Sequence, residues 1–253
     1  MRALSVLMAV PLLAVCWLGV RGTSSAWGAA GAMDARRTAS AAESVRTASA
    51  SRYLALGDSY TIGEAIAVGG RWPVQLAALL RQGGVAVGEP EIVARTGWTT
   101  GELASGIAAA APRGPFALVS LLIGVNDQYR GGQPADYRTG FAALLRRAIA
   151  FAGGEPGRVI VLSIPDWSVT PFAAGSGRDL PRIAGEIRRF NANNREETGR
   201  AGARYVDITP VSQRALGDGS LLATDGLHPS AAMYAEWARL ALPAATAALA
   251  EHQ

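Results

Sequence analysis

Cysteine and histidine are the two scarcities that exclude most. Cys16 is the only cysteine in 253 residues, so the chain can form no internal disulfide whatever its redox compartment. One cysteine cannot build a cysteine-based metal site, and because Cys16 precedes the domain expected at 52–253, that domain has no cysteine nucleophile. Histidine occurs twice, and His252 is the penultimate residue, so an imidazole base, if the chain has one, is His228. Charged residues make up 17% of the chain, and no basic run interleaved with aromatics appears, which leaves nucleic-acid binding little support. Neither GxGxxG nor the Gly-Lys-Ser/Thr of a phosphate loop is present. No metal-ligand cluster is written in the sequence, and no cofactor is implied.

What remains is 49% apolar residues and a formal charge of +4, enough for one domain with a sizeable core. Part of the positive excess lies near the start, where Arg2, Arg21, Arg36, Arg37, Arg46 and Arg52 face only Asp34 and Glu43. Arg2 precedes an uncharged stretch from Ala3 to Val20, broken by Pro11, and Ala30-Gly31-Ala32 follows as a small-residue cleavage site. Residues 1–32 are therefore expected to be a secretory signal, making the protein periplasmic or extracellular. Two other fates stay open. The apolar run just reaches the length of a membrane anchor. Leu13-Ala14-Val15-Cys16 resembles a bacterial lipoprotein box, with Val15 where that pattern wants a small residue. Residues 33–51 are Ala, Ser, Thr and Arg with almost no large apolar side chain, which reads as a disordered linker. The folded domain is expected over 52–253.

From Arg52 onward, strand-like and helix-like segments alternate. Apolar runs at Tyr53 to Leu56, Glu91 to Ala94, Phe116 to Ile123, Arg158 to Ile164 and Tyr205 to Ile208 read as strands. Trp72 to Arg81 has helical spacing with Pro73 in its first turn. Pro134 to Ala152 puts Tyr137, Phe141, Leu144, Leu145, Ala148 and Ile149 on one helical face. Ile183, Ile187 and Phe190 mark a further helix, and a closing helix starts near Ser230, with Pro243 expected to interrupt it. Such alternation predicts a parallel sheet covered by helices on both sides, with the working groups at the carboxyl ends of its strands.

Four segments stand at or beside those ends: GDSY at Gly57 to Tyr60, RTGWTT at Arg95 to Thr100, GVND at Gly124 to Asp127, and DGLHPS at Asp225 to Ser230. Ser59 lies at a strand-to-helix turn, and a serine needs a base to act as a nucleophile. His228 can supply it, and Asp225, three residues earlier, can reach back to the imidazole Nδ1–H. Backbone N–H groups at Ser59 and Gly97 and the side-chain amide of Asn126 are available to bind an oxyanion. Each segment alone has a plainer reading as a turn or cap; the four together, in order at strand ends, favour catalysis.

In this order and spacing the four segments resemble the motif blocks of the SGNH/GDSL hydrolases, a family of serine esterases and lipases, over Arg52 to about Ala250. The resemblance implies a flavodoxin-like three-layer α/β/α sandwich with a central parallel sheet of about five strands. It implies Ser59 as nucleophile, His228 as base oriented by Asp225, and Ser59, Gly97 and Asn126 around the oxyanion. Tyr60 stands where the GDSL name has leucine, and Thr96 precedes Gly97 where many members have asparagine. The expected activity is cleavage of carboxylic esters through an acyl-enzyme by a monomer. An acyltransferase or a lysophospholipase on the same site are the rivals, and a non-catalytic binding protein with this fold is the outsider.

Around this set, Trp98, Gln128, Tyr129, Trp167 and Phe172 are expected to rim the substrate pocket from their loops. Trp72 and Trp237 are assigned to the core. Asp58 and Asp127 are expected to bond loop backbone, and Arg95 and Arg130 to be exposed.

Overall fold

Stretches of four or five apolar residues with no alternation need partners on both faces. In the computed structural model, which describes residues 50–250, five segments pair side by side as one parallel sheet. β1 is Tyr53–Gly57, β2 Glu91–Ala94, β3 Leu118–Leu122, β4 Val159–Leu162 and β5 Arg204–Val206. Every residue of β1, β3 and β4 is buried, which accounts for their largely apolar sequences; the polar exception, Ser120 in β3, shares a 2.9 Å hydrogen bond with the Tyr53 hydroxyl. The expected signal at 1–32, His252 and nearly all of the linker at 33–51 lie outside the described residues.

The spatial order is β2-β1-β3-β4-β5. The chain steps from β1 to β2 on one side, then crosses to β3 on the other, so β1 has both as neighbours, with Gly57 opposite Ala94 and Leu122. That reversal is the topological switch point, where such sheets leave a crevice beyond the carboxyl ends of the strands.

Nine helices, counted among the described residues, surround the sheet: α1 Ser59–Ile62, α2 Trp72–Gln82, α3 Thr100–Ala110, α4 Val125–Tyr129, α5 Pro134–Phe151, α6 Pro171–Gly175, α7 Leu180–Ala201, α8 Thr209–Ser212 and α9 Ala231–Ala250. α2 packs against α9, while α5 packs against both α3 and α7. This is the expected three-layer α/β/α arrangement with five parallel strands. Trp72 and Trp237 are fully buried in its core. Among the described residues no helix is long and apolar enough to cross a membrane.

Five elements depart from the sequence reading: α9, α3, and the short helices α4, α6 and α8, where no helix was expected. Gln128 and Tyr129 on α4 and Phe172 on α6 thus sit on helices in place of loops. Pro243 was expected to interrupt the closing helix, but α9 runs through it from Ala231 to Ala250. The missing N–H removes one ladder bond, yet Trp237, Ala238, Ala241, Ala245 and Ala248 bury one face on both sides of the proline, and that packing holds the helix together. α3 was not anticipated at all. Its start carries a capping box, in which Thr99 Oγ1 accepts from Glu102 N and the Glu102 side chain accepts from Thr99 N at 2.9 Å.

Candidate active site

The turn after β1 is shaped by glycine. A Cβ on Gly57 would lie 2.1 Å from Thr61 Oγ1 and 2.5 Å from Leu122 O, so only glycine lets α1 fold back this close to β3. Asp58 caps α1, accepting from Tyr60 N at 3.0 Å. Ser59 is therefore the first residue of the helix, where backbone N–H groups have no acceptor within the helix. The turn presents its hydroxyl and its N–H together.

The loop before α9 is built by one carboxylate. Asp225 Oδ1 accepts from Leu227 N and His228 N, both at 2.9 Å, while Oδ2 lies 2.6 Å from His228 Nδ1. Gly226 takes the left-handed conformation that the turn requires, at φ +67°. With Nδ1–H directed to Asp225, the Nε2 lone pair is free to take a proton. Burial pushes the Asp225 carboxyl up, but the hydrogen bonds from His228 and from the two backbone N–H groups outweigh it, leaving it below its ordinary value. Asp225 thus stays ionised beside the imidazole. The Tyr60 ring packs 5.3 Å from the imidazole, steadying it from the sheet side.

Beyond β3, Gly124 adopts φ +126°, and a Cβ there would meet Tyr137 Oη at 2.4 Å. α4 follows and carries Asn126, whose Nδ2 donates to Trp98 O at 3.0 Å. That bond fixes which way the amide faces and leaves its second N–H for a ligand. Gly97, at φ +83°, belongs to the same turn as Trp98. Among the described residues the Gly97 N–H engages no acceptor in the protein. Two further links hold the loops in register: Arg130 Nη2 donates to Gly97 O at 2.7 Å, and Asp127 accepts from Thr100 N and Thr100 Oγ1. Arg95 and Arg130 are exposed, as expected, but Arg130 also ties the two loops together. The sequence offered no sign of this role.

Ser59, Gly97, Asn126 and His228 all line one cavity of about 200 Å³. Its apolar wall comes from Val125, Tyr129, Trp167, Phe172 and Leu227. Three of the five expected rim residues, Tyr129, Trp167 and Phe172, therefore face it. Trp98 and Gln128 do not. The Trp98 ring lies over α3, so close that a Cβ on Gly106 would meet it at 2.1 Å. Gln128 points inward, accepting from Trp167 Nε1 at 2.9 Å and donating to Glu186 at 2.8 Å, so it supports the wall instead of forming it. Tyr60, Thr96, Val125 and Leu227 also line the cavity and were not singled out; each adjoins a motif residue, which was the available signal.

The buried carboxyls nearby are perturbed. Burial pushes Asp58 up to about 8; the charge of Asp127 adds to this and the Tyr60 N–H bond opposes it. Burial likewise raises Asp127 above the ordinary range, against the Thr100 hydrogen bonds. Both bond backbone N–H groups, at Tyr60 and Thr100, as expected. Among the described residues, no group of three or more His, Asp or Glu side chains converges as a metal site would.

A five-stranded parallel sheet between helical layers, with its cavity at the switch point, makes the protein a three-layer α/β/α sandwich. The chain matches the GDSL-like lipase/acylhydrolase family over residues 55–236 and belongs to that family. It is accordingly a hydrolase of the esterase and acylhydrolase type. Solved structures share its fold at low identity. TesA is 21% identical, covering 76% of this chain and 97% of its own, with a TM-score of 0.57. The psychrotrophic esterase EstA from Pseudoalteromonas sp., in a form inhibited by monoethylphosphonate, is 17% identical over 79% of this chain and 95% of its own, at 0.54. Axe2, an acetylxylan esterase from Geobacillus stearothermophilus, is 18% identical over 77% and 94%, at 0.57. Among curated proteins no sequence matches.

Proposed function

We propose that the protein is an exported serine hydrolase of carboxylic esters, working through an acyl-enzyme. The observation that carries this reading is the 2.6 Å contact of Asp225 Oδ2 with His228 Nδ1, in a loop that shares one cavity with Ser59. Ser59 Oγ attacks the ester carbonyl while His228 Nε2 takes its proton; a bond forms between Oγ and the carbonyl carbon, and the carbonyl π pair moves onto the oxygen to give a tetrahedral adduct. The negative oxygen rests against the Ser59 and Gly97 N–H groups and the Asn126 amide. Collapse breaks the bond to the alcohol, which leaves with the proton from His228. Water then enters, gives a proton to His228, and attacks the acyl-enzyme; the carboxylic acid departs and Ser59 recovers its hydrogen. Export rests on the leader at 1–32 and the linker at 33–51.

Membership of an ester-cleaving family supports the reaction class, and the inhibition of EstA by a phosphonate supports a nucleophilic route on this fold. The test is Ser59→Ala assayed on a short-chain aryl ester, with circular dichroism to verify the fold. The account expects turnover to drop by about 10³-fold or more. Wild-type rates in the variant would end it. His228→Ala should lower turnover by a comparable factor, and wild-type rates in that variant would remove His228 from its role.

A further inference from the structure

Two hollows meet at Tyr129. One is the aromatic cavity beside Ser59. The other is a groove of about 400 Å³ lined by Arg130, Arg178, Asp179, Arg182 and Glu186. Tyr129 lines both, so the groove adjoins the cavity across this side chain.

We infer that the substrate is a short-chain acyl ester of a polyhydroxylated alcohol, the ester and acyl group held in the aromatic cavity and the alcohol spread over the charged groove. This rests on the assignment of Ser59 as nucleophile and adds the substrate class. Size comes first. An apolar protein cavity of about 150 Å³ takes up benzene, whereas drug-sized ligands need about 300 Å³ or more. A space of about 200 Å³ therefore suits the ester group with an acyl chain of roughly two to four carbons.

The inner wall is fixed, which limits how far the cavity can lengthen on that side. Trp167 is buried and anchored through Nε1 to Gln128. The Phe172 backbone is held by its N–H, which donates to Gly226 O at 3.1 Å, while its side chain stays exposed. The rings of Tyr129, Trp167 and Phe172 pack against one another at centroid distances of 5.5 to 6.5 Å, making one aromatic wall of the box that holds the ester.

Beyond the box the chemistry changes. Arg178 lies over the Tyr129 ring at 4.0 Å and donates to Tyr129 O at 2.9 Å, which sets a guanidinium at the junction of the two hollows. An alkyl chain leaving the cavity there would cover charged groups and gain nothing from it. Hydroxyl groups find both donors and acceptors. Arg182 pairs with Glu186, Arg130 with Glu102, and Arg178 is engaged by the carbonyl and ring of Tyr129. Among the described residues Arg178 is thus the only groove arginine without a carboxylate partner, and no cluster of unpaired guanidiniums awaits an anion. A neutral polyol fits it better than a phosphate headgroup.

The test compares kcat/KM for p-nitrophenyl acetate, butyrate and octanoate, and for acetate release from an acetylated methyl glucoside against palmitate release from lysophosphatidylcholine. Acetate or butyrate should exceed octanoate by about tenfold or more, and the glucoside should be preferred over the phospholipid. Phe172→Ala should narrow the acetate-to-octanoate ratio by about threefold or more. Arg178→Ala should raise KM for the acetylated glucoside about fivefold more than it raises KM for p-nitrophenyl acetate. Octanoate equal to acetate, faster attack on lysophosphatidylcholine, or no change of either ratio in the two variants would overturn the inference. Loss of hydrolysis of every ester, or activity surviving Ser59→Ala, would instead refute the nucleophile assignment beneath it.

Discussion

Asn126 owes its usefulness to Trp98, whose carbonyl takes one amide hydrogen and aims the other. Asn126→Ala should therefore lower kcat by about 10²–10³-fold with little change in KM, because the lost bond forms to the transition state. Steady-state kinetics on an aryl ester check this; a loss confined to KM would contradict it. Asp58 makes a different kind of prediction. Its native carboxyl keeps a proton up to about 8, whereas in the unfolded chain it loses that proton near its ordinary value of 3.8. Its contribution is complete below the unfolded value and drains away as pH rises through the native one, by on the order of a kcal/mol per pH unit. Asp58→Asn keeps the acceptor for Tyr60 N–H and cannot ionise. Urea midpoints at pH 5 and 8 should fall further in the wild type than in the variant, and parallel slopes would count against the shift. The residues of the site were legible because so few side chains could serve: one usable histidine, an aspartate three residues before it, a serine after a strand. Trp98 was misplaced because membership of a loop does not reveal which way a side chain turns, and Gln128 because it lies in α4, a short helix where the sequence suggested a loop.

Among the elements, the central strands and long helices were readable because burial on two faces or on one stripe leaves a plain periodicity. α3 was not, since GELASGIAAA carries few large apolar residues, and Gly101 and Gly106 dilute its helical signal. The Thr99–Glu102 capping box was the missed clue. Gly106 has a packing reason: the Trp98 ring occupies the space a side chain would need. α9 erred in the other direction, as local propensity at Pro243 yielded to the packing of its alanine-rich face on the core. Pro243→Ala restores an N–H within the helix and removes the ring, so it should raise the unfolding free energy by about 1–3 kcal/mol. Chemical denaturation measures it. A destabilised variant would mean the ring itself fills space that alanine leaves empty.

At the scale of the whole molecule, the strand order brings the ends of β1 and β3 together while the closing helix returns the 225–228 loop to the same crevice. Three segments distant in sequence thus line one cavity, and the alternation of strands and helices made that convergence foreseeable. The size and walls of the cavity were not foreseeable, because they depend on how rings from separate loops meet. The central claim is that Ser59 is a nucleophile activated within this cavity. Its most direct measurement is labelling of the folded wild-type protein with a fluorophosphonate, followed by mass spectrometry of the adduct. The account predicts one adduct on Ser59, lost in Ser59→Ala and strongly slowed in His228→Ala. An unlabelled Ser59 in protein that still hydrolyses esters, or an adduct on another residue, would contradict it.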